Sequence, residues 1–402
     1  MAKYIALSDL HLGQNGSDQK GQYSLLSRVP ASLPEEKKAA DAMQARLCAV
    51  VKKFAQGQEV TLIVAGDLLD LSLAYLGDAL GDLGALLAQL PEINRLIWVV
   101  GNHDHHVWML HCEEKYILKP LRAGGAGWME DLRSADPGVT SLSNFGPMYR
   151  PTDPAGETLT IFQKALADAA GHPLDILVAY PSFRLSLTDQ RPGLPANLKD
   201  VLFYVTHGHL FGGIYTWLSQ ILQKRLVRFP PERVAATVNL SLIEFIYWLL
   251  GETGEGMGAD GLVETIYTDL QKGNTSTARA LISDLVGTLV DSVILNKLVD
   301  ALAERFLAKG GASSSGDRHA DTSGTRAAME KWCANLDLVH LPRVAVVYGH
   351  THVGDLHSIH STGVSGYNLG SWLVEPGFSI PDNRVLGIDD GPPQLKVGWL
   401  TL

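Results

Sequence analysis

Five polar clusters, each directly following a short apolar run, constrain the fold of this chain more than any other feature of its sequence. The apolar runs are Tyr4 to Leu7, Thr61 to Ala65, Leu96 to Val100, Val201 to Thr206 and Val344 to Tyr348. Their length and β-branched content predict buried strands. The clusters that follow are SDLHLG, AGDLLD, GNHDHH, THGH and GHTH. Because an open α/β sheet gathers ligand-binding residues in the loops after its strands, we expect these clusters to meet at one site.

The segments between the predicted strands indicate an α/β core. Helical stretches run from about Glu35 to Gln56 and from about Ala74 to Leu90, so helices and strands alternate along the first part of the chain. A region from about His106 to Leu174 is rich in Gly, Pro, Asp and Ser. We interpret that region as surface loops with short elements.

A second long interruption, residues 211–340, has apolar residues at helical spacing, such as Leu281, Leu285 and Leu289. We interpret it as a helical cap inserted into a catalytic core made of residues 1–210 and 341–402. The apolar stripes of the cap are most simply packing faces. We expect the cap to overhang the site and to select the substrate.

Two parts of the predicted cap have a distinctive composition. Residues Gly310 to Gly324 have the composition of a flexible linker. An earlier segment combines Trp217 and Ile221 with Lys224 and Arg225, the mixture found in helices that lie on anionic membranes. Peripheral membrane or lipid contact through the cap therefore stays open beside its role in packing.

Composition narrows the function further. The chain has 402 residues, of which 46% are hydrophobic and 19% charged, as in globular proteins with a large core. A formal net charge of -10 argues against a broad basic surface for duplex nucleic acid. Its three cysteines are scattered and form no CxxC pair, which indicates neither a disulfide framework nor a thiolate zinc site. With an N-terminus that leads straight into a predicted strand, the expected location is the cytoplasm.

The polar clusters offer oxygen and nitrogen donors without sulfur, which suits manganese, iron, zinc and similar divalent ions. The candidate residues are Asp9, His11, Asp67, Asp70, Asn102, His103, His207, His350 and His352. Two divalent ions would leave a net positive site after two carboxylates and a bridging hydroxide, and such a site attracts phosphate. Because side chains of an extended segment repeat every two residues, we expect Asp9 and His11 to point to one side, and likewise His350 and His352.

With these residues in this order, the sequence resembles the calcineurin-like metallophosphoesterases, whose pattern is D-x-H, GD-x-x-D, GNH, an isolated H and GH-x-H. The resemblance covers residues 1 to about 105 and about 175 to the C-terminus, so the cap falls outside it. It implies an α/β fold in which two sheets form an αββα sandwich. It also implies hydrolysis of a phosphate ester by a hydroxide that two divalent metal ions activate, with manganese favoured.

The resemblance further implies a role for each candidate residue. One metal is bound by Asp9, His11, Asp67 and His352, and the second by Asp67, Asn102, His207 and His350. Asp67 would then bridge the two ions. His103 would act as the general acid or transition-state stabiliser beside the leaving oxygen, and Asp70 would orient its other ring nitrogen.

Two further motifs, THGHLFG and YNLGSW, are similar to those of family members that act on phosphodiesters and pyrophosphates, including lipid-sugar pyrophosphohydrolases. Those lipid-sugar enzymes carry GNRD where this chain has GNHD. The predicted substrate is a phosphodiester or pyrophosphate. A phosphomonoesterase or protein phosphatase, and a metal-free binding scaffold, are the alternatives, and the sequence does not fix the oligomeric state.

Overall fold

The computed structural model of the chain describes residues 2–16, 22–71, 74–123, 148–150, 153–154, 157–209, 327–334, 338, 341–359, 364–374, 382–392 and 394–402. These residues form two seven-stranded sheets and one two-stranded sheet. Most of the predicted helical cap, residues 211–340, lies outside the described residues, as does the predicted linker from Gly310 to Gly324. The division into core and cap therefore stays a prediction.

The first sheet contains the N-terminal predicted strands at its centre. In spatial order its strands are β16 (Lys396–Leu400), β15 (Val385–Asp389), β1 (Lys3–Leu7), β3 (Val60–Ala65), β4 (Ile93–Val99), β8 (Asp175–Ala179) and β7 (Glu157–Thr158). The four strands β1, β3, β4 and β8 run parallel, with Lys3 opposite Val60 and Leu7 opposite Val64. Strands β15, β16 and β7 pair antiparallel.

The second sheet carries the two C-terminal predicted strands at its centre. In spatial order its strands are β12 (Gly354–Ile359), β13 (Val364–Leu369), β11 (Val344–Tyr348), β10 (Asp200–Thr206), β9 (Ser182–Thr188), β5 (Met148–Arg150) and β6 (Asp153–Pro154). Strands β10 and β11 are parallel, with Leu202 opposite Val344 and Val205 opposite Val347. A small separate sheet pairs β2 (Tyr23–Ser24) with β14 (Leu373–Val374).

Helices cover the outer face of the first sheet. They are α1 (Pro34–Ala55), α2 (Leu76–Ala88), α3 (His105–Glu113) and α5 (Thr160–Ala170), whose buried residues share one core with the sheet. A π-helical turn at Glu114–Leu118 and the short helix α4 (Lys119–Ala123) follow α3, and a 3-10 turn at Ala196–Leu198 precedes β10. The longest helix, α1, has proline and two glutamates in its first turn and two lysines in its last, which matches the helix dipole. Its buried residues, such as Leu47 and Val51, pack on Ile5 and Leu62 of the sheet.

The inner faces of the two sheets pack on each other. Ile63 and Ile97 of the first sheet share one core with Phe203 and Val347 of the second. Neighbouring residues on the same strands, such as Leu62, point to the helices instead, as the two-residue period of a strand requires. The fold is therefore an α/β, two-sheet αββα sandwich, as predicted.

The outer face of the second sheet is also covered. Residues 327–334 are helical, and their buried Met329 and Cys333 pack with Tyr204, Val346 and Tyr348 of strands β10 and β11. This short helix supplies the fourth layer of the sandwich, although it lies within the range assigned to the cap.

Two sequence-based expectations can be compared directly with the structure. All five predicted strands are present within a few residues of their expected bounds, and the two predicted helices correspond to α1 and α2. The region from His106 to Leu174, predicted as surface loops with short elements, contains in its described part the helices α3, α4 and α5 and three short strands. Helix α5 packs Phe162, Leu166 and Ala170 inward at four-residue spacing, a short pattern that surrounding Gly and Pro residues obscure in the sequence. Among the described residues, no helix is both long and apolar enough to cross a membrane.

Candidate metal centre

The five predicted clusters meet where β1, β3, β4, β10 and β11 end, and backbone hydrogen bonds join one cluster to the next. The amide of Asp9 donates to the carbonyl of Gly66 over 3.1 Å, and the amide of Gly349 donates to the carbonyl of His207 over 3.0 Å. The amide of His350 donates to Asp9 Oδ2 over 2.9 Å. The loops are thus fixed relative to one another before any ligand binds.

The residues predicted to hold the metals have an unusual backbone. Among the described residues, six that are not glycine have positive φ, and five of them are predicted ligands: Asp9, His11, Asp67, His350 and His352. The left-handed conformation costs about 1–2 kcal/mol for a residue with a Cβ atom. Such conformations persist where the surrounding structure over-determines them, which is characteristic of functional sites.

The sequence analysis expected Asp9 and His11 to point to one side because they lie on an extended segment, and this reason is wrong. Strand β1 ends at Leu7, and Asp9 and His11 have φ values of 52° and 47°, so they do not lie on an extended segment. The same holds for His350 and His352, at 70° and 58°. Each pair still converges on the site, because the loop curls around it with alternate residues in the left-handed conformation.

The side chains of the seven predicted ligands form one connected group. Asp67 Oδ2 lies 3.0 Å from His207 Nε2 and 3.9 Å from His11 Nε2. Asp9 Oδ1 lies 3.4 Å from His352 Nε2 and 4.0 Å from His11 Nε2. Asn102 Oδ1 is 3.0 Å from His207 Nε2, and the His207 and His350 ring centroids are 5.1 Å apart.

These distances can be compared with the predicted division of ligands between two metals. Asp9, His11 and His352, three of the four residues predicted for one metal, present ligand atoms within 4.8 Å of one another. Asp67, placed as the bridge, reaches His11 of that set and His207 of the other through the same oxygen. The group Asp9, Asp67 and His207 also lies within 4.8 Å and joins the two sets.

The donor atoms fit divalent cations. His11 Nε2 is buried and has no hydrogen-bond partner among the described residues, and the nearby carboxylate oxygens are too distant for a hydrogen bond. Two ligands that each lie about 2.1 Å from a shared cation are separated by about 3–4 Å, which is the spacing observed here. Imidazole nitrogens and carboxylate oxygens are the ligands that manganese, iron and zinc accept.

The ionisation of the site also suits a cation. Burial acts to raise the pKa of Asp67, but the neighbouring His207 and His103 outweigh it and hold that pKa well below its usual range. Burial acts to lower the pKa of His207, yet the charges of Asp67 and Asp9 raise it to about 9. A divalent ion bound to His207 would replace the proton that these two carboxylates attract.

Asp70 contacts two histidines rather than one. Its Oδ1 is 3.1 Å from His103 Nδ1, as the sequence predicted, and its Oδ2 is 2.9 Å from His11 Nδ1. A carboxylate accepts hydrogen bonds, so both rings carry a proton on Nδ1 and direct Nε2 away from Asp70. Burial acts to raise the pKa of Asp70, but His103 and His11 hold it well below its usual range.

Asp104 is a buried residue of the site that the sequence analysis did not single out. Its carboxylate accepts hydrogen bonds from the amides of Gly101 and Leu68, over 2.6 Å and 2.8 Å, and from the Trp98 indole over 2.7 Å. It therefore ties the loop that carries Asp67 to the loop that carries Asn102. Burial, and secondarily the charge of Asp67, raises the pKa of Asp104 to about 7. Its position directly after GNH was the available signal.

Two glycines of the motifs are required by close approach. A Cβ atom on Gly101 would lie 2.1 Å from Asp67 Oδ1, and one on Gly349 would lie 2.0 Å from Asp9 Oδ2. Real Cβ atoms essentially never come this near another heavy atom. Each of these motifs thus provides a glycine against which a carboxylate of another motif is packed.

The YNLGSW motif contacts two loops that carry predicted ligands. Asn368 Nδ2 donates to Thr351 Oγ1 over 2.6 Å, and Thr351 stands between His350 and His352. The amide of Trp372 donates to the carbonyl of Asp9 over 3.0 Å. The described contacts of this motif are therefore with the scaffold of the site.

Three more histidines lie beside the motifs, and the ring of one of them, His209, is 5.4 Å from the ring of His207 between centroids. His209 and His105 are buried, and both rings are near Tyr180, with centroid distances of 6.0 Å and 5.1 Å. Burial, and then the charge of His207, holds the pKa of His209 well below its usual range. His106 is half-buried.

Comparison with known proteins agrees with this geometry. The family model described as calcineurin-like phosphoesterase matches residues 2–231, more than half of the chain. It includes the region from His106 to Leu174, which the resemblance in the sequence had left out, but not the loop of His350 and His352. No curated protein matches the chain.

Among solved structures, the chain is similar to the crystal structure of a cold-active protein-tyrosine phosphatase of a psychrophile, Shewanella sp.. That similarity has 12% identity and a TM-score of 0.24, covering 100% of this chain and 81% of the other. A TM-score this low supports no inference about fold or function. By the match of the family model to its residues 2–231, this chain belongs to the calcineurin-like phosphoesterase family.

Proposed function

We propose that the protein hydrolyses a phosphodiester or a pyrophosphate at two divalent metal ions held by Asp9, His11, Asp67, Asn102, His207, His350 and His352. Membership of the family supports phosphoester hydrolysis. The observation that carries the proposal is the convergence of these side chains around Asp67 Oδ2, which lies near His207 and His11 together.

Metal ions held by these residues would attract a phosphate group. When bound, divalent ions at these residues would neutralise charge on the phosphoryl oxygens and lower the pKa of a water molecule for attack. Asp67 and Asp9 offset part of the mutual repulsion of two such ions. Mn²⁺ is the ion we favour, with Fe and Zn compatible with the same donors.

His103 is positioned to assist the leaving group. Its Nδ1 is held by Asp70, and its side chain is 23% exposed although Asp70 is fully buried. The ring therefore presents Nε2 toward the accessible side of the site. A proton on Nε2 would pass to the departing oxygen, which is the task of a general acid.

The substrate class rests on two sequence motifs. THGHLFG and YNLGSW are similar to motifs of family members that act on phosphodiesters and pyrophosphates. This proposal requires a diester or pyrophosphate to be cleaved faster than a monoester with the same leaving group.

The variant Asp67→Asn tests the metal centre. We expect it to lose nearly all turnover and to retain less metal than the wild type, because the amide cannot replace a charged bridging oxygen. Elemental analysis of the purified protein measures the metal, and Asp168→Asn, an exposed aspartate in α5, is the matched control. Near-normal activity of Asp67→Asn with full metal content would overturn the assignment.

A substrate panel tests the reaction. The panel contains a phosphomonoester, a phosphodiester, a nucleoside pyrophosphate and single-stranded DNA, each with Mn²⁺ supplied. We expect kcat/KM to be highest for the phosphodiester or the pyrophosphate. A clear preference for the monoester would favour the phosphatase alternative. A protein that retains no metal and cleaves no substrate of the panel would favour a binding scaffold.

A further inference from the structure

Gln14, which directly follows the first polar cluster, lies against the carboxylate that His11 and His103 share. Its Nε2 is 2.6 Å from Asp70 Oδ2, and both side chains are buried. The orientation of the amide follows from chemistry, because an ionised carboxylate accepts hydrogen bonds and only the NH₂ group donates. Gln14 therefore donates to Asp70.

The backbone on both sides of Gln14 is fixed, so its side chain has a defined origin. The amide of Gln14 donates to the carbonyl of His11 over 3.3 Å, and its carbonyl accepts from the amide of Ser24 over 2.9 Å. The preceding amide, that of Gly13, donates to Ser27 Oγ over 3.0 Å. His11 and Gln14, which both contact Asp70, therefore lie on the same loop.

The two oxygens of Asp70 accept hydrogen bonds from different partners. Oδ1 contacts His103 Nδ1, while Oδ2 contacts both His11 Nδ1 and Gln14 Nε2. Rotation of a carboxylate about its last torsion angle is soft, so each hydrogen bond to its oxygens helps to define its plane. A third donor, approaching Oδ2 from the amide of Gln14, restricts that rotation.

We propose that Gln14 is a positioning residue that fixes the Asp70 carboxylate, and through it aligns the ligand His11 with the acid His103. The inference rests on the proposed function of His103. The His11 and His103 rings are 4.8 Å apart between centroids, so a rotation of Asp70 displaces both together. Asp70 contacts these two histidines directly, and partners in that position contribute about 10- to 100-fold to activity or metal affinity. Gln14 acts on them only through Asp70.

The variant Gln14→Met tests the proposal, because methionine has nearly the volume of glutamine but cannot donate to Asp70. We expect kcat on a phosphodiester with an alkoxide leaving group to fall roughly tenfold, with KM little changed. With nitrophenolate, which needs little protonation, the loss should be clearly smaller, because only the displacement of His11 then slows the reaction. Gln163→Met, which removes a side-chain hydrogen bond to the carbonyl of Leu174 far from the site, should match the wild type.

A double-mutant cycle separates positioning from a general effect on stability. If Gln14 acts through Asp70, the double variant Gln14→Met with Asp70→Asn should be no slower than Asp70→Asn alone. Losses that multiply in the double variant would overturn the proposal. Equal losses of Gln14→Met on both leaving groups would overturn it as well.

A readout in the metal-free protein keeps this inference distinct from the proposed function. In protein labelled with ¹⁵N-histidine, the Nδ1 signals of His11 and His103 should both shift in Gln14→Met and not in Gln163→Met. If these signals move but His103→Ala keeps the wild-type rate on alkoxide esters, the acid role is wrong and the positioning role stands. If His103→Ala is slow but Gln14→Met changes neither signals nor rate, the positioning role is wrong.

Discussion

At Gly349 the backbone of one motif touches the carboxylate of another. A Cβ atom there would meet Ser8 Oγ at 1.9 Å and Asp9 Oδ2 at 2.0 Å. Ser8 Oγ also lies 2.5 Å from Asp9 Oδ2, so the serine and the glycine together define where this carboxylate stands. At the scale of single residues, the site is set by contacts between motifs that are more than 300 residues apart in sequence.

We expect Gly349→Ala to reduce both metal content and turnover strongly while the protein still folds. The added methyl group must displace Asp9, a predicted ligand, because neither the serine nor the carboxylate can move without losing the other contact. Gly398→Ala is the matched control, since a Cβ atom at Gly398 meets nothing within 4 Å. Elemental analysis and circular dichroism of both variants check this. Wild-type metal content in Gly349→Ala would show that Asp9 is not held as described.

Some residues of the site could be predicted from the sequence, and others could not. The nine candidate residues could be selected because five motifs occur in a fixed order, each after a predicted strand. Gln14 and Asp104 could not be given a role, because their contacts with Asp70 and with the amide of Leu68 depend on how loops 36 to 56 residues apart meet. A polar residue in a loop has no periodicity that identifies its partner.

At the scale of elements, buried strands were predictable and loop conformations were not. Strand β11 has the predicted bounds, because a short uninterrupted run of apolar and β-branched residues is typical of a buried strand. The left-handed residues that follow β1 and β11 carry no such signal, because aspartate and histidine adopt this conformation only where neighbouring loops impose it.

The second sheet has an ion-pair cluster that connects its elements. Asp189, which follows strand β9, is buried, and its Oδ2 lies 2.8 Å from a nitrogen of Arg191 and 2.8 Å from one of Arg343. Arg343 directly precedes β11 and also donates to the carbonyl of Leu198 over 3.0 Å. This carboxylate therefore joins the connection between β9 and β10 to the start of β11. The hydrogen bond from Arg191 holds the pKa of Asp189 well below its usual range, against the effect of burial.

We expect Asp189→Asn to lower the thermal unfolding midpoint at pH 7 by several degrees, and the difference from wild type to shrink below about pH 4. The folded-state pKa lies below the unfolded value, so the charged carboxylate stabilises the fold above that unfolded value. This contribution is lost as pH falls toward the folded-state pKa. Unfolding midpoints of both proteins at pH 7, 4, 3 and 2 measure this loss. In the control Asp168→Asn, whose exposed pair with Lys164 contributes little, no change is expected. A difference that grows on acidification would contradict this account.

At the scale of the whole molecule, the two halves of the core are separated in sequence by the predicted cap. The predicted ligands His207 and His350 lie on either side of residues 211–340 in the sequence, yet strands β10 and β11 pair directly through four opposed residue pairs. Because these two strands are parallel, the insertion leaves the sheet at the site, after β10, and returns at the opposite end of the strands, before β11. The α/β class followed from the alternation of helices and strands, and the two-sheet sandwich followed from the resemblance to the calcineurin-like family. The role of the short helix at residues 327–334 did not, because its packing against β10 and β11 depends on how that insertion returns to the sheet.

Two replacements of the insertion separate substrate selection from support of the core. A Gly/Ser linker of about 20 residues in place of residues 213–326 retains the helix at 327–334. We expect that variant to bind metal and to hydrolyse a small nitrophenyl ester at a near-normal rate. Turnover of larger substrates should fall, because binding energy from the cap would be lost. The test measures metal content, the unfolding midpoint and the two rates.

Replacement of the longer range, Gly213 to Pro342, should behave differently. It removes Met329, Cys333 and Leu338, which are fully or almost fully buried against the second sheet. Deleting large buried side chains costs about 2–5 kcal/mol each, so this variant should unfold at a lower temperature or fail to fold. If both replacements keep wild-type stability, the helix is not part of the core. If the shorter replacement loses metal and small-ester hydrolysis together while it remains folded, the insertion is part of the metal site and does not act by selecting substrate.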